Sequence, residues 1–167
     1  MNCPGPEIPL TDEDLYGEEN KVEEATEEFI LFQLGQEWYA VPVSAVVEIV
    51  RVGQITSLPS APIHIIGITS LRGNIISITD PKRLLGLQAV PLTHKNRIIV
   101  IQMQDERTGL LVDEVSAVMN IPVSSLEPPL ETLTPAQTEF IQFTCHWQKH
   151  LMAILKVEKL LSREGKK

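Results

Sequence analysis

The sequence predicts a mainly β protein whose short strands fall into two groups and either close as barrels or stack as a sandwich. Three observations carry this. About ten short apolar runs follow one another between turn residues. Helical signals are confined to three brief stretches, so alternating β/α units are not expected. The runs divide near residues 80–95, and the second half repeats the layout of the first without repeating its sequence.

The pattern begins at Phe29. Phe29 to Leu34 and Glu37 to Val41 read as strands, and Gly35-Gln36 joins them as a hairpin that Pro42 ends. Val43 to Ile49 reads as one helical turn with Ser44 near its start. Ile63 to Ser70 and Ile75 to Thr79 flank the turn Leu71-Arg72-Gly73-Asn74. Ile76 and Ile78 share one face of the second strand, and Ile75, Ser77 and Thr79 the other. The alternation slips between Ile65 and Ile66, which predicts a bulge. Asp80 to Gly86 reads as a short helix, with Asp80 as N-cap, Pro81 at its first position and Gly86 as its stop.

The second half opens with a strand from Arg97 to Met103, a turn at Asp105-Glu106-Arg107 and a return over Gly109 to Val112. Val115 to Ile121 continues as a strand. Pro122, Pro128, Pro129 and Pro135 mark an irregular stretch. Phe140 to Cys145 and Leu151 to Leu155 pair as a last hairpin across His146 to His150. Lys156 to Arg163 is helical, because Val157, Leu160 and Leu161 recur on one face.

A chain of 167 residues suits one domain, or two small subdomains sharing a core. Hydrophobic residues make up 43 %, enough to fill that core, and aromatics only 5 %, so it is aliphatic. No apolar run approaches the ~20 residues of a membrane helix, and Met1 to Pro6 shows no secretory signal. Two cysteines, Cys3 and Cys145, do not make a disulfide framework, so a reducing, cytoplasmic setting is expected. The net charge of −8 is unevenly placed: residues 1–28 hold ten acids and one base, leaving +1 on the rest. Residues 1–27 are therefore expected to be an acidic disordered tail, solubilising or regulatory, residues 28–163 the folded unit, and residues 164–167 a loose end. A nearly neutral fold with an acidic arm argues against nucleic acid and against insertion into or binding of anionic membrane.

Chemical motifs are sparse. Cys145, His146 and His150 are the one cluster of metal-ligand types, yet Cys145 and His146 alternate to opposite faces of a strand and cannot easily share an ion. A small metal-dependent enzyme built on them is the competing reading of another class, and it predicts bound metal. His64 falls in an apolar strand and His94 in a polar connection. Nucleophile elbows and phosphate loops are absent, and the adjacent acids Asp105/Glu106 and Asp113/Glu114 read as solvated turn and strand-end residues. No cofactor and no enzymatic activity are expected. What remains is surface shape. Gly73 supplies the φ of a tight turn, Asn74 tolerates it, and Arg72 presents a charged fork from a rigid base.

Leu58-Pro59, Pro62-Ile63, Gly67, Leu71-Arg72-Gly73, Asp80 and Leu84-Leu85-Gly86, in that order and spacing, closely resemble the central motif of the CheW-like family of bacterial chemotaxis coupling proteins. Phe29 to Val41, Val46 to Ile49, Gly109 to Val115 and Ala153 to Leu161 extend the resemblance over about residues 28–163. Two departures mark a divergent member. Ser70 stands where the family usually has Asn, and Pro81-Lys82 replaces Leu-Arg. The resemblance implies two five-stranded, SH3-like barrels packed on a shared apolar interface. It also implies a scaffold bridging a chemoreceptor's cytoplasmic tip and a CheA-type histidine kinase within the receptor array. By position it implies receptor contacts at Val46, Glu48, Arg72, Ile98 and Val115. Each of Val46, Ile98 and Val115 reads equally well as core, and Arg72 either meets a receptor carboxylate or braces a groove through Glu48. A chemosensory system steering type IV pili or phototaxis is an equal fit to the same family.

Overall fold

The structure, a computed structural model, describes residues 25–147 and 149–165. The expected acidic tail, up to residue 24, and the last two residues lie outside that range.

Ten strands follow the apolar runs. Strands β1 (Thr26–Leu34) and β2 (Glu37–Pro42) form the first hairpin. A 3-10 turn at Val43–Ala45 leads into β3 (Val46–Arg51). The expected helical turn thus stops at Ala45. Val46, Val47 and Ile49 are β-branched, the first half-buried and the other two exposed, and they settle in the extended state their side chains favour. Strands β4 (Ile65–Leu71) and β5 (Asn74–Thr79) form the second hairpin, with the bulge at Ile65/Gly67 where the alternation slips. His64 precedes β4 in a turn rather than lying in the strand, and its carbonyl accepts the Asp80 N–H at 2.8 Å. Helix α1 (Pro81–Leu85) is capped as expected. Asp80 accepts the Lys82 N–H and Gly86 takes the left-handed stop.

Strands β6 (Arg97–Met103) and β7 (Glu106–Val112) follow, turning at Gln104-Asp105 rather than at Asp105 to Arg107. Next come β8 (Glu114–Pro122) and a 3-10 turn at Val123–Ser125. The proline-rich stretch is not wholly irregular: α2 (Pro135–Phe140) sits in it, opened by a reciprocal Thr134/Gln137 capping box. Strands β9 (Ile141–Trp147) and β10 (His150–Leu155) form the last hairpin. Helix α3 (Val157–Gly165) closes the chain and buries Val157, Leu160 and Leu161.

The strands form two five-stranded sheets, in the orders β8-β1-β2-β10-β9 and β3-β6-β7-β5-β4. We call them the terminal and central sheets. The division near residues 80–95 separates two copies of one layout, not the two sheets. Each copy is a hairpin, a single strand, a second hairpin and a helix. The single strand leaves its own hairpin: β3 pairs with β6 of the other copy, and β8 pairs with β1. Each sheet contains one parallel junction, β2 with β10 and β5 with β7. The second spans only two residue pairs, and Thr108 reinforces it, its hydroxyl lying 2.9 Å from that of Thr79 and 3.0 Å from the Ser77 carbonyl.

Both faces of the middle strands are buried. One face of each sheet joins a shared core containing Ile30, Phe32 and Leu34 of the terminal sheet and Ile99, Ile101 and Leu110 of the central one. The other face curls around a core of its own, Phe29, Leu31 and Met152 in one sheet and Ile76, Ile78, Ile98 and Val100 in the other. Removal of so much aliphatic surface from water is the main force holding the sheets together. A buried ion pair adds a fixed point. Lys82 Nζ on α1 lies 2.7 Å from Asp113 Oδ1, and Asp113 also accepts the Gly35 N–H of the β1–β2 turn. The expected pair of five-stranded units is thus present, but in neither sheet does a strand pairing join the two edges.

Candidate functional site

The turn between β4 and β5 is a two-residue hairpin, with Leu71 opposite Asn74. Arg72 and Gly73 both take positive φ, 51° and 82°, the combination whose twist suits a two-residue connection. Gly73 is the expected accommodating residue. The second is Arg72 itself, not Asn74, which already belongs to β5. A left-handed Arg costs of order 1 kcal/mol, so the strain sits on the residue that carries the charge.

The Arg72 fork lands on Glu48. Nε lies 3.1 and 3.2 Å from the two carboxylate oxygens, and Nη2 lies 2.9 Å from Oε1. The hydrogen bonds from Arg72 hold the Glu48 carboxyl below its ordinary pKa, and the carboxylate raises that of Arg72. Arg72 stays open to solvent, with its side chain 74 % exposed against 20 % for Glu48.

Glu48 is on β3 and Arg72 directly follows β4, the two edges of the central sheet. Between those edges lies a cavity of about 430 Å³, floored by Ile68, Ile76 and Ile98 and rimmed by Arg51, Thr69 and Ser70. Its other wall is the segment after β3. Thr56 exchanges two backbone hydrogen bonds of 2.8 Å with Ile68, and Thr69 Oγ1 donates to the Gln54 carbonyl at 2.7 Å. This close approach explains Gly67, where a Cβ would strike the Thr56 carbonyl and the Ile55 side chain.

The five residues implied by the resemblance do not form one cluster. Glu48 and Arg72 are joined, and Ile98, 1 % exposed, lies on the floor of the cavity, whose lining includes neither of the pair. Val46 and Val115 are half-buried against the shared core, Val46 opposite Ile101 and Val115 opposite Phe32. Strict alternation would put Val46 on the same face as Glu48. A bulge between them turns Val46 toward the shared core and leaves Glu48 with the face of Val50 and Ile98. Ser70, one of the departures from the family pattern, lines the cavity. Arg51, Gln54 and Thr69 were missed in the sequence. Their signal is a short loop returning along a strand, which has no local motif.

Cys145, His146 and His150 are held apart by the last hairpin. Cys145 is fully buried in the terminal sheet's own core, His146 is half-buried opposite Leu151, and the His150 ring lies 5.4 Å from that of Trp38. Cys145 is not a free thiol. Among the described residues no three His, Cys, Asp or Glu side chains group as a metal site. None of their helices is long and apolar enough to cross a membrane.

The CheW-like domain model matches residues 28–165. A "Chemotaxis protein CheW" of Klebsiella aerogenes is 30% identical over 138 residues, covering 83% of each chain. "Protein PilI" of Pseudomonas aeruginosa is 30% identical over 115 residues, covering 69% of this chain and 65% of that one. Among solved structures, the scaffolding protein TtCheW from Thermoanaerobacter tengcongensis superimposes with a TM-score of 0.72 at 31% identity, covering 79% of this chain and 90% of that one. With two five-stranded sheets, a braced Arg-Gly turn and a family match across nearly all of the described residues, this chain belongs to the CheW-like domain family.

Proposed function

We propose that this protein is a non-enzymatic adaptor that couples the cytoplasmic helical tip of a chemoreceptor to a CheA-type histidine kinase. One observation carries the receptor side: the Arg72–Glu48 pair fixes an exposed guanidinium next to Leu71, which lines an apolar-floored cavity. A helix laid into a groove needs that combination, apolar depth for its anchors and a charge at the rim for orientation. Ile98 supplies depth, and Val50 and Ile68 extend it. Val46 and Val115, seated on the shared core, support the groove from behind rather than lining it. The similar scaffolding protein TtCheW supports the scaffold role, and the chemotaxis names of the relatives support the pathway. The second reading is an adaptor of a chemosensory system steering type IV pili or phototaxis, which the likeness to Protein PilI leaves open beside the first.

Affinity purification of the full chain from its own cells tests the proposal. Co-purification of a histidine kinase and a chemoreceptor is expected, with receptor recovery reduced in Arg72→Ala. Recovery of neither partner would overturn the coupling reading. Swimming and surface-motility assays of a deletion strain separate the two outputs.

A further inference from the structure

The net charge of −8 hides a cationic surface on the central sheet. From Ile49 to Gln104 the chain holds six basic residues, Arg51, Arg72, Lys82, Arg83, Lys95 and Arg97, against one acid, Asp80. Asp80 is buried beside Arg83, Lys82 is buried on Asp113 and Arg72 is paired with Glu48, so Arg51, Lys95 and Arg97 are the charges that this stretch leaves without an ion pair among the described residues. Arg51 and Arg97 stand directly opposite each other on β3 and β6. Like charges in that register repel. Among the described residues neither is ion-paired. Arg97 spends its Nη1 on the carbonyls of His94 and Asn96, both at 2.8 Å, and Arg51 stands at the cavity rim. Exposed Lys95 adds a third positive charge two residues from Arg97. Such a group is stabilised by a polyanion laid across it.

The chain carries one. Residues 7–24 hold eight acids, Glu7, Asp12, Glu13, Asp14, Glu18, Glu19, Glu23 and Glu24, and one base, Lys21. They enter the fold at Ala25, whose carbonyl accepts the Val123 N–H at 2.9 Å. At roughly 3.3–3.6 Å per residue the segment is long enough to reach any face of a domain with a radius of gyration of about 15 Å. Tethering gives it an effective concentration on the order of millimolar. A weak electrostatic contact is then well populated at low salt.

We propose that the acidic segment of residues 7–24 docks on its own central sheet at Arg51, Lys95 and Arg97, beside the cavity. The inference rests on charge placement and register, not on the coupling reading.

NMR of the full chain tests it without any partner. Backbone amide and arginine Nε–H spectra are compared for the wild type, for a variant with the eight acids changed to Asn or Gln, and for Arg51→Gln/Arg97→Gln. Neutralising the arm is expected to shift the resonances of Arg51, Lys95, Arg97 and the cavity rim. About 0.5 M NaCl should shift them the same way in the wild type, because screening shortens to a few ångströms. The double Arg variant should respond to arm neutralisation several-fold less. Identical spectra beyond residue 26 in wild type and neutralised chains would overturn the proposal. So would shifts that cluster on another surface, or shifts that grow with protein concentration, which would place the arm on a second copy.

Discussion

Arg72 and Glu48 stand at opposite edges of one sheet, and their ion pair joins those edges where no strand pairing does. The pair is therefore a seam, and it stands one residue from Leu71 of the cavity rim. Arg72→Ala should lower receptor recovery by about tenfold or more if the rim matters to binding. The melting temperature should stay within about 3 °C of wild type, because an exposed pair is screened by water. The exchanged variant Glu48→Arg/Arg72→Glu separates the two roles. Binding should return if Arg72 acts as a brace. It should stay lost if the guanidinium itself meets a receptor carboxylate.

The pair has a pH signature. Glu48 titrates below its unfolded value because Arg72 donates to its carboxylate. Its contribution is therefore complete above the ordinary carboxylate pKa of about 4.3 and is lost as pH falls through the lower folded value. A carboxyl-detected NMR titration should show the Glu48 midpoint moving up toward the ordinary value in Arg72→Ala. An unmoved midpoint would mean that the pair does not persist in solution.

The Lys82–Asp113 pair behaves differently, since the Lys82 side chain is 4 % exposed. Asp113→Ala strands a buried ammonium and also takes the acceptor from the Gly35 N–H. A loss of about 3–5 kcal/mol is expected, seen as a fall in melting temperature of roughly 6–15 °C. Lys82→Met/Asp113→Leu should cost less than the single change, because no charge is left unpaired. A double variant worse than Asp113→Ala would count against this account.

Asp80 caps α1, and burial raises its pKa despite the opposing pull of the Lys82 N–H and of Lys82 and Arg83. Asp80→Ala should destabilise by ~1 kcal/mol through loss of the cap. Asp80→Asn keeps the cap without the buried charge, so at pH 7 it should melt at or above the wild type. An acid with a raised folded pKa adds stability below its unfolded pKa and loses it as pH rises through the folded value. The wild type should therefore gain on Asp80→Asn when both are melted near pH 4.

Gly109 faces the floor of the cavity from behind. A Cβ there would come within 2.6 Å of Ile98 Cγ2 and 3.0 Å of Ile78 Cδ1. Gly109→Ala should cost about 1–3 kcal/mol by overpacking. Added Ile78→Val, which removes the Cδ1 that the new methyl meets, should return part of that, a non-additivity read from urea midpoints. Strict additivity would mean that the two positions do not press on each other.

Local structure was the legible part of the sequence. The Asp80-Pro81 cap, the Gly86 stop, the slip at Ile65 and the buried stripe of α3 each depend on residues a few positions apart, and each stands where the pattern puts it. Helix α2 was also written locally, as Thr134-Pro135 with Gln137, but the prolines around it read as loop. Val46 to Ile49 misled because a run of β-branched residues has no clear period. What no local pattern could show is which strands meet. The exchange of β3 and β8 between sheets, the bulge that parts Val46 from Glu48, and the return of Thr56 along β4 all depend on contacts between distant segments. The candidate site was legible as residue types and as one pairing, Arg72 with Glu48, but not as a seam.

The exchange of β3 and β8 also says what would happen if the backbone were cut in the exposed connector between Leu87 and Lys95. The first fragment would hold β3, β4 and β5 without the β6–β7 hairpin that stands between them, and β1–β2 without either neighbour. The second would be lacking in the complementary way. Neither half is a folding unit, yet each holds the strands the other needs. Two such fragments, expressed together, should reconstitute one molecule and remain unfolded apart, so that assembly of the native state doubles as a recognition event between halves.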